Sequence, residues 1–154
     1  MADLIEIVFE DLSNDILVKI LSKYILPESN IKNFNFFENE KNIKNVHQLM
    51  KIINEKSIDE LKLFINLKEI KNNFIKAKSP SIYILKEKTK YNFTFIFQTN
   101  EIDYLKKNLS TSLFEFSKVL AKEFHISIYY GGLEPAIDKD TRIFTNDALG
   151  PLIF

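Results

Sequence analysis

A chain of 154 residues, 45% of them hydrophobic, can bury a core without disulfides or metals, and its length predicts one domain over residues 1–154. It contains no cysteine, which excludes disulfides, thiolate zinc sites and cysteine nucleophiles. The formal net charge is zero, no apolar run is long enough to cross a bilayer, and the acidic N-terminus is unlike a secretory signal, so we expect a cytoplasmic protein.

The charges are segregated along the chain. Residues 1–30 hold six acids and two lysines, whereas residues 31–90 hold thirteen lysines and seven acids. Residues 125–154 are again acidic, with four carboxylates and two basic side chains. If the first and last strands of the fold are neighbours, the two acidic ends converge on one face.

The first third of the chain predicts a strand, a helix and a loop. Residues 4–9 alternate weakly between apolar and acidic side chains, which is typical of a strand. The next apolar positions, from Ile16 to Ile25, have helical spacing, with Ser13 or Asn14 as the N-cap and Pro27 as the stop. Residues 30–42 show no period and are predicted to form a loop.

Two short helices are predicted next. Apolar residues from Val46 to Ile53 form one stripe. A capping-box pattern over residues 57–60 then precedes a second stripe of Leu61, Phe64 and Ile65. The pattern is ambiguous from there to Lys78.

The second half predicts a hairpin, a long helix and a final strand. Residues 81–85 and 91–98 read as paired strands, and four aromatic side chains alternate along the second one. Apolar residues at steps of three and four predict a helix from Thr99 or Asn100 to Phe124, followed by a strand over 125–130. The order predicts an α+β fold: a ferredoxin-like split β-α-β-β-α-β antiparallel sheet with a helical insertion near 42–78 and an extended C-terminal arm over 131–154.

All three glycines lie in that arm or at its start, together with the single arginine, Arg142. Gly131 and Gly132 follow the last predicted strand, where glycine permits positive φ or a close backbone approach. The arm then displays acidic side chains, Glu134, Asp138 and Asp140 among them, around Arg142. Such a surface suits recognition of a basic protein patch, although Arg142 can equally pair with Asp138 or Asp140.

The sequence gives only weak support to metal binding, RNA binding and acid–base catalysis. Asp138–Thr141 begins like a calcium loop but lacks the glycine and the glutamate that such a loop needs, and we expect no metal, cofactor or catalytic residue. The aromatic strand 91–98 is in the position of an RNA-binding strand but lacks the accompanying glycines, so its aromatics are expected in the core. His125 could pair with a carboxylate of the tail as an acid–base couple.

The tail GGLEPAIDKDTRIFTNDALGPL, with the size and the absence of cysteine, is similar to small immunity proteins of bacterial polymorphic-toxin and contact-dependent inhibition systems. The resemblance rests on Gly131–Pro135, Asp140–Phe144 and Leu149–Pro151. It implies a stable α+β scaffold without catalytic residues that binds a cognate toxin domain and blocks it. Many partners of nuclease toxins are strongly acidic, whereas this chain is neutral, which leaves the chemistry of the toxin open.

Three functions are therefore in view. The first is a cytoplasmic immunity protein, a monomer or weak homodimer that binds its toxin without membrane contact. Its expected partner-binding residues are Tyr129, Glu134, Asp138, Asp140 and Arg142. The second is a small nucleic-acid-binding domain that uses the lysine-rich region 41–78, and the third is an unrecognised small enzyme.

Overall fold

The computed structural model describes residues 3–36, 44–55, 60–146 and 148–152, and within them it contains two antiparallel sheets and three α-helices. The α+β class predicted from the sequence is confirmed. The large sheet has seven strands in the order β10-β9-β1-β7-β6-β3-β2, and the small sheet has three in the order β4-β5-β8. The strands are β1 Leu4–Leu12, β2 Ile31–Phe36, β3 Glu60–Leu67, β4 Glu69–Lys71, β5 Ile75–Lys78, β6 Ser81–Glu87, β7 Lys90–Gln98, β8 Ile102–Tyr104, β9 Ile128–Leu133 and β10 Arg142–Thr145. The helices are α1 Asn14–Ile25, α2 Val46–Ile53 and α3 Leu109–Glu123.

The four central strands follow the order β9-β1-β7-β6, each antiparallel to its neighbour. This order is compatible with the predicted split β-α-β arrangement, in which the first strand lies between the last two strands of the motif. The β6–β7 hairpin turns through Lys88 and Thr89, and Lys88 takes the left-handed conformation (φ 58°) that glycine usually supplies in such turns.

The core lies between one face of the large sheet and the helices. All four aromatics that alternate along β7, Tyr91, Phe93, Phe95 and Phe97, are buried, as predicted. The Phe95 ring lies 4.9 Å from the Tyr24 ring of α1 and 5.6 Å from the Phe116 ring of α3, measured between centroids. These aromatics therefore hold the helices on the sheet and are not available for stacking on RNA bases.

Local signals predicted α1 and α2 correctly. Ser13 caps α1, where its side chain accepts a hydrogen bond from the Ile16 amide, and Asn45 caps α2 in the same way. The phenol of Tyr91 ties α2 to the sheet by donating to the Ile53 carbonyl at 2.9 Å.

Two sequence-based predictions of element type are wrong. Residues 31–36 form the edge strand β2 and are not a loop. The second helix of the predicted insertion is strand β3, which lies between β2 and β6 in the large sheet. Its alternate residues are buried in the core: Leu61, Leu63, Ile65 and Leu67. Most of the proposed capping box, residues 57–59, lies outside the described residues.

The long helix is shorter than predicted. It begins at Leu109, with Asn108 as its N-cap, and residues 102–104 form strand β8 of the small sheet. The last strand is shifted toward the C-terminus, since β9 covers Ile128–Leu133 and not 125–130.

Candidate functional site

The start of the C-terminal arm is attached to the edge of the large sheet. Strand β10 pairs with β9, placing Arg142 opposite Gly132 and Phe144 opposite Gly131. A Cβ on Gly131 would lie 2.5 Å from the Phe144 ring, and a Cβ on Gly132 would collide with the backbone of Thr141 and Arg142. The close approach of the arm therefore explains why residues 131 and 132 are glycines. The glycine with a positive φ is Gly150 (φ 96°).

Between β9 and β10 the chain forms a compact turn, residues 134–141, which we call the acidic knob. The Ala136 amide donates to the Oε1 of Glu6 at 3.1 Å, and the Thr141 hydroxyl donates to the Pro135 carbonyl at 2.9 Å. The Asp138 amide donates to the same carbonyl at 3.1 Å. The knob is therefore held in one shape before any partner binds.

The knob displays an apolar side chain among carboxylates. Ile137 is 64% exposed, the largest value among the exposed large hydrophobic side chains of the described residues. Glu134, Asp138, Lys139 and Asp140 of the same turn are also exposed, whereas Ala136 is buried. An exposed apolar group ringed by charges is typical of a protein-binding surface.

Arg142 stabilises the knob from the inside. Its Nη2 donates to the Ile137 carbonyl at 2.9 Å, and its guanidinium carbon lies 5.1 Å from the centroid of the Tyr130 ring. The ion pairs with Asp138 or Asp140 that the sequence allowed are not formed, because the guanidinium instead contacts the Ile137 carbonyl and the face of the Tyr130 ring. The carboxylates of the knob are consequently not neutralised by the only arginine.

Strand β1 adds two carboxylates to this surface, because it pairs directly with β9. Glu6 lies opposite Gly132, and Glu10 accepts a 2.7 Å hydrogen bond from the Tyr130 hydroxyl. The two acidic ends of the chain therefore converge, as expected for neighbouring first and last strands. The pairing of β1 with β9 places Glu6 beside the knob and Glu10 beside Tyr130.

Burial in this region shifts two pKa values upward. Desolvation raises the pKa of Glu6, and the nearby charge of Glu134 raises it further, while the hydrogen bond from Ala136 opposes the shift. Burial and the hydrogen bond to Glu10 raise the pKa of Tyr130, so its phenol stays protonated at neutral pH. The Tyr130 hydroxyl is therefore a neutral donor to Glu10 at this surface.

Tyr129 is placed differently from the other predicted contacts. It points into the core, is 6% exposed and stacks on Phe9 at a centroid distance of 6.0 Å. Burial leaves little of its ring within reach of a partner, so its position fits a supporting role beneath the surface. Asp147, the fourth carboxylate of residues 125–154, lies outside the described residues.

The histidine that the sequence linked to acid–base chemistry lies at the end of a helix. His125 is exposed and takes a left-handed conformation (φ 56°) at the end of α3, a helix-terminating position. No group of three or more His, Cys, Asp or Glu side chains in the described part of the chain is arranged to hold a metal ion. Among the described residues, no helix has the length and apolar character needed to span a membrane.

The lysine-rich region 41–78 also differs from the predicted pair of helices. Its described residues include one helix, α2, and strands β3, β4 and β5. Lys68, Lys71, Lys76 and Lys78 are exposed along β4 and β5 and beside them. They give this part of the surface a basic character, opposite in sign to the knob.

Comparisons with known proteins agree on one kind of protein. A profile of the PABL017 Cdi1I immunity protein family matches residues 3–149. A crystal structure of the toxic C-terminal tip of CdiA from Pseudomonas aeruginosa in complex with immune protein contains a chain of similar fold. The TM-score is 0.74 and the identity 23%, over 99% of this chain and 100% of that one. No curated protein matches the chain.

The family profile covers both the large sheet and the acidic knob. Of the three functions that the sequence suggested, it supports the first, that of an immunity protein. The chain belongs to the PABL017 Cdi1I immunity protein family.

Proposed function

We propose that this protein is a non-enzymatic inhibitor that acts in the cytoplasm, where it binds the toxic C-terminal domain of a CdiA-like protein and blocks it by occupying its surface. Family membership supports the inhibitory role, and the structural relative comes from a complex of a CdiA toxic tip with immune protein. The contact surface that we propose is the acidic knob together with Glu6 and Glu10 of β1. Carboxylates dominate this surface, so it fits a basic patch on the toxin.

The observation that carries the assignment is the exposure of Ile137 in a hydrogen-bonded turn that also exposes Glu134, Asp138 and Asp140. Apolar side chains at the centre of an interface contribute most of the affinity, whereas the charged rim guides encounter and orientation. Glu134, Asp138 and Asp140 form that rim, Arg142 holds the knob in shape, and Tyr129 supports β9 from the core.

The first experiment tests the function itself. The protein is expressed with the toxin domain encoded beside it, and growth rescue and complex formation by calorimetry are measured. We expect full protection and a 1:1 complex. A wild-type protein that neither protects nor binds its toxin would contradict the proposed function.

The second experiment tests the surface. We expect Ile137→Asp to weaken toxin binding about 10- to 100-fold, the range of a central contact residue. Asp138→Lys should slow association and reduce the salt dependence of binding, whereas Glu87→Lys, the same change at an exposed carboxylate on β6, should leave both unchanged. If toxin affinity is the same in all three variants as in the wild type, the toxin binds elsewhere on the protein.

A further inference from the structure

A groove with a volume of about 820 Å³ lies between the end of α1, the C-terminal half of α3 and the small sheet. Its lining includes the rings of Tyr24, Phe74 and Phe116. Two of its apolar side chains remain exposed to solvent, Leu26 at 55% and Val119 at 49%. The knob contributes no residue to this groove.

On the side of the small sheet the lysines at the rim of the groove outnumber its one carboxylate there, Glu69. Lys68 and Lys71 line the groove there, and the Nζ of Lys106 lies 5.5 Å from the centroid of the Phe74 ring. On the opposite side the 2.7 Å ion pair between Lys23 and Glu123 neutralises both charges. An apolar segment that carries carboxylates would therefore match the groove in both hydrophobicity and charge.

The acidic knob has this chemistry. Ile137 provides the exposed apolar side chain, and the same turn exposes three carboxylates, Glu134, Asp138 and Asp140, and one cation, Lys139. The turn is already held by hydrogen bonds to Glu6, Pro135 and Ile137, so docking would cost little conformational entropy. The bond to Glu6 holds the knob against β1, away from its own groove, so the knob that docks in a groove comes from another molecule.

We propose that the protein self-associates weakly head to tail, with the knob of one copy docked in the α1–α3 groove of a second copy. Ile137 contacts Leu26 and Val119, and the knob carboxylates face Lys68, Lys71 and Lys106. Such an interface is heterologous, so each added copy leaves one free knob and one free groove at the ends of the assembly. Given the toxin contact proposed above, toxin and second copy compete for the knob, and toxin binding releases the monomer.

The test uses two variants that each damage one half of the interface. Val119→Asp changes the groove and Ile137→Asp changes the knob. Because both positions are exposed, we expect both variants to fold as the wild type does. Circular dichroism checks the folding of each variant. Sedimentation velocity is measured on each protein from about 10 µM to about 1 mM at low salt, the range of weak protein contacts. Leu149→Asp, at a 40% exposed position outside the knob, is the matched control.

We expect the average mass of the wild type and of Leu149→Asp to rise above 18.1 kDa with concentration, and each of the other two variants to remain monomeric. An equimolar mixture of Val119→Asp and Ile137→Asp should form a dimer and nothing larger, because one variant retains the knob and the other the groove. A wild type that stays monomeric at 1 mM, or a mixture that does not associate, overturns the proposal. Toxin binding by the wild type is measured separately and is unaffected by that result.

Discussion

The ring of Phe144 lies directly over Gly131, at the position that a side chain on residue 131 would need. Phe144 is fully buried, and its ring lies 5.5 Å from that of Phe114 on α3, measured between centroids. The arm is thus joined to the core through a contact that requires the absence of a Cβ. The adjacent Gly132 allows the backbone of Thr141 and Arg142 to approach in the same way.

Gly131→Ala should lower the free energy of unfolding by about 1–3 kcal/mol, because the packed Phe144 ring must shift. Gly132→Ala should cost at least as much, since backbone atoms cannot move aside as a side chain can. Urea unfolding measures both. Phe144→Leu combined with Gly131→Ala should recover part of the loss, whereas combined with Gly132→Ala it should recover none; equal recovery in both pairs would contradict this explanation.

Phe95 connects the helices to the sheet, and its removal should strongly destabilise the protein. Its ring contacts those of Phe9, Tyr24 and Phe116 and is fully buried. Phe95→Ala should lower the free energy of unfolding by about 3–5 kcal/mol, measured by chemical denaturation. Val119→Ala, at a 49% exposed position, should change it by less than about 0.5 kcal/mol. Comparable losses in the two variants would show that this ring cluster does not hold the fold together.

The N-cap of α3 is expected to contribute measurably to stability. The side chain of Asn108 accepts a 2.8 Å hydrogen bond from the Thr111 amide. Asn108→Ala should cost about 1 kcal/mol in thermal or urea unfolding, and Asn108→Ser should recover most of it. Asn73→Ala, at an exposed position outside the helices, is the control and should have little effect. A full loss in the serine variant would argue against capping as the cause.

Glu6 should make stability depend on pH. Burial raises its pKa in the folded state above the ordinary value of 4.5, so the folded protein binds this proton more tightly than the unfolded chain. The stability of the wild type relative to Glu6→Gln should therefore be greatest at low pH and fall as the pH rises from 4.5 through the raised pKa. Unfolding of both proteins across this range measures the difference.

Glu134→Gln tests one cause of the raised pKa of Glu6. Removing this charge should reduce the shift, because Glu134 contributes to the raised pKa of Glu6. The pH at which the stability difference changes should then move downward. A difference between wild type and Glu6→Gln that is constant with pH would mean that Glu6 titrates alike in both states.

Several elements could be predicted from local sequence because their signals are local. Ser13 caps α1, the stripe from Val46 to Ile53 is α2, and the aromatic alternation of β7 faces the core. A cap acts within three residues, and a side-chain period within one element already states which face is buried. The acidic character of the arm, with Glu134, Asp138 and Asp140 in one turn, was likewise visible in the sequence.

The elements that were predicted wrongly depend on partners distant in the chain. Leu61, Phe64 and Ile65 fit a helical spacing, but they belong to strand β3. This strand pairs with a neighbour on each side, since Leu63 lies opposite Ile84 of β6 and Phe36 of β2. Ile102 fitted the helical stripe of α3, yet it pairs with Ala77 across the small sheet. Backbone pairing of this kind adds a free energy that local propensity does not contain.

The sequence alone was enough to predict the fold class, the aromatic core, helix α1 with its cap, the apolar stripe of α2 and the acidic, glycine-bearing tail. The tertiary structure was needed to place Glu6 beside the knob and Glu10 beside Tyr130, to commit Arg142 to Ile137 and Tyr130, and to bury Tyr129. Each of these depends on the pairing of β1 with β9 and of β9 with β10. Residues about 120 positions apart meet there, and the side on which a strand residue emerges changes with a register shift of one residue.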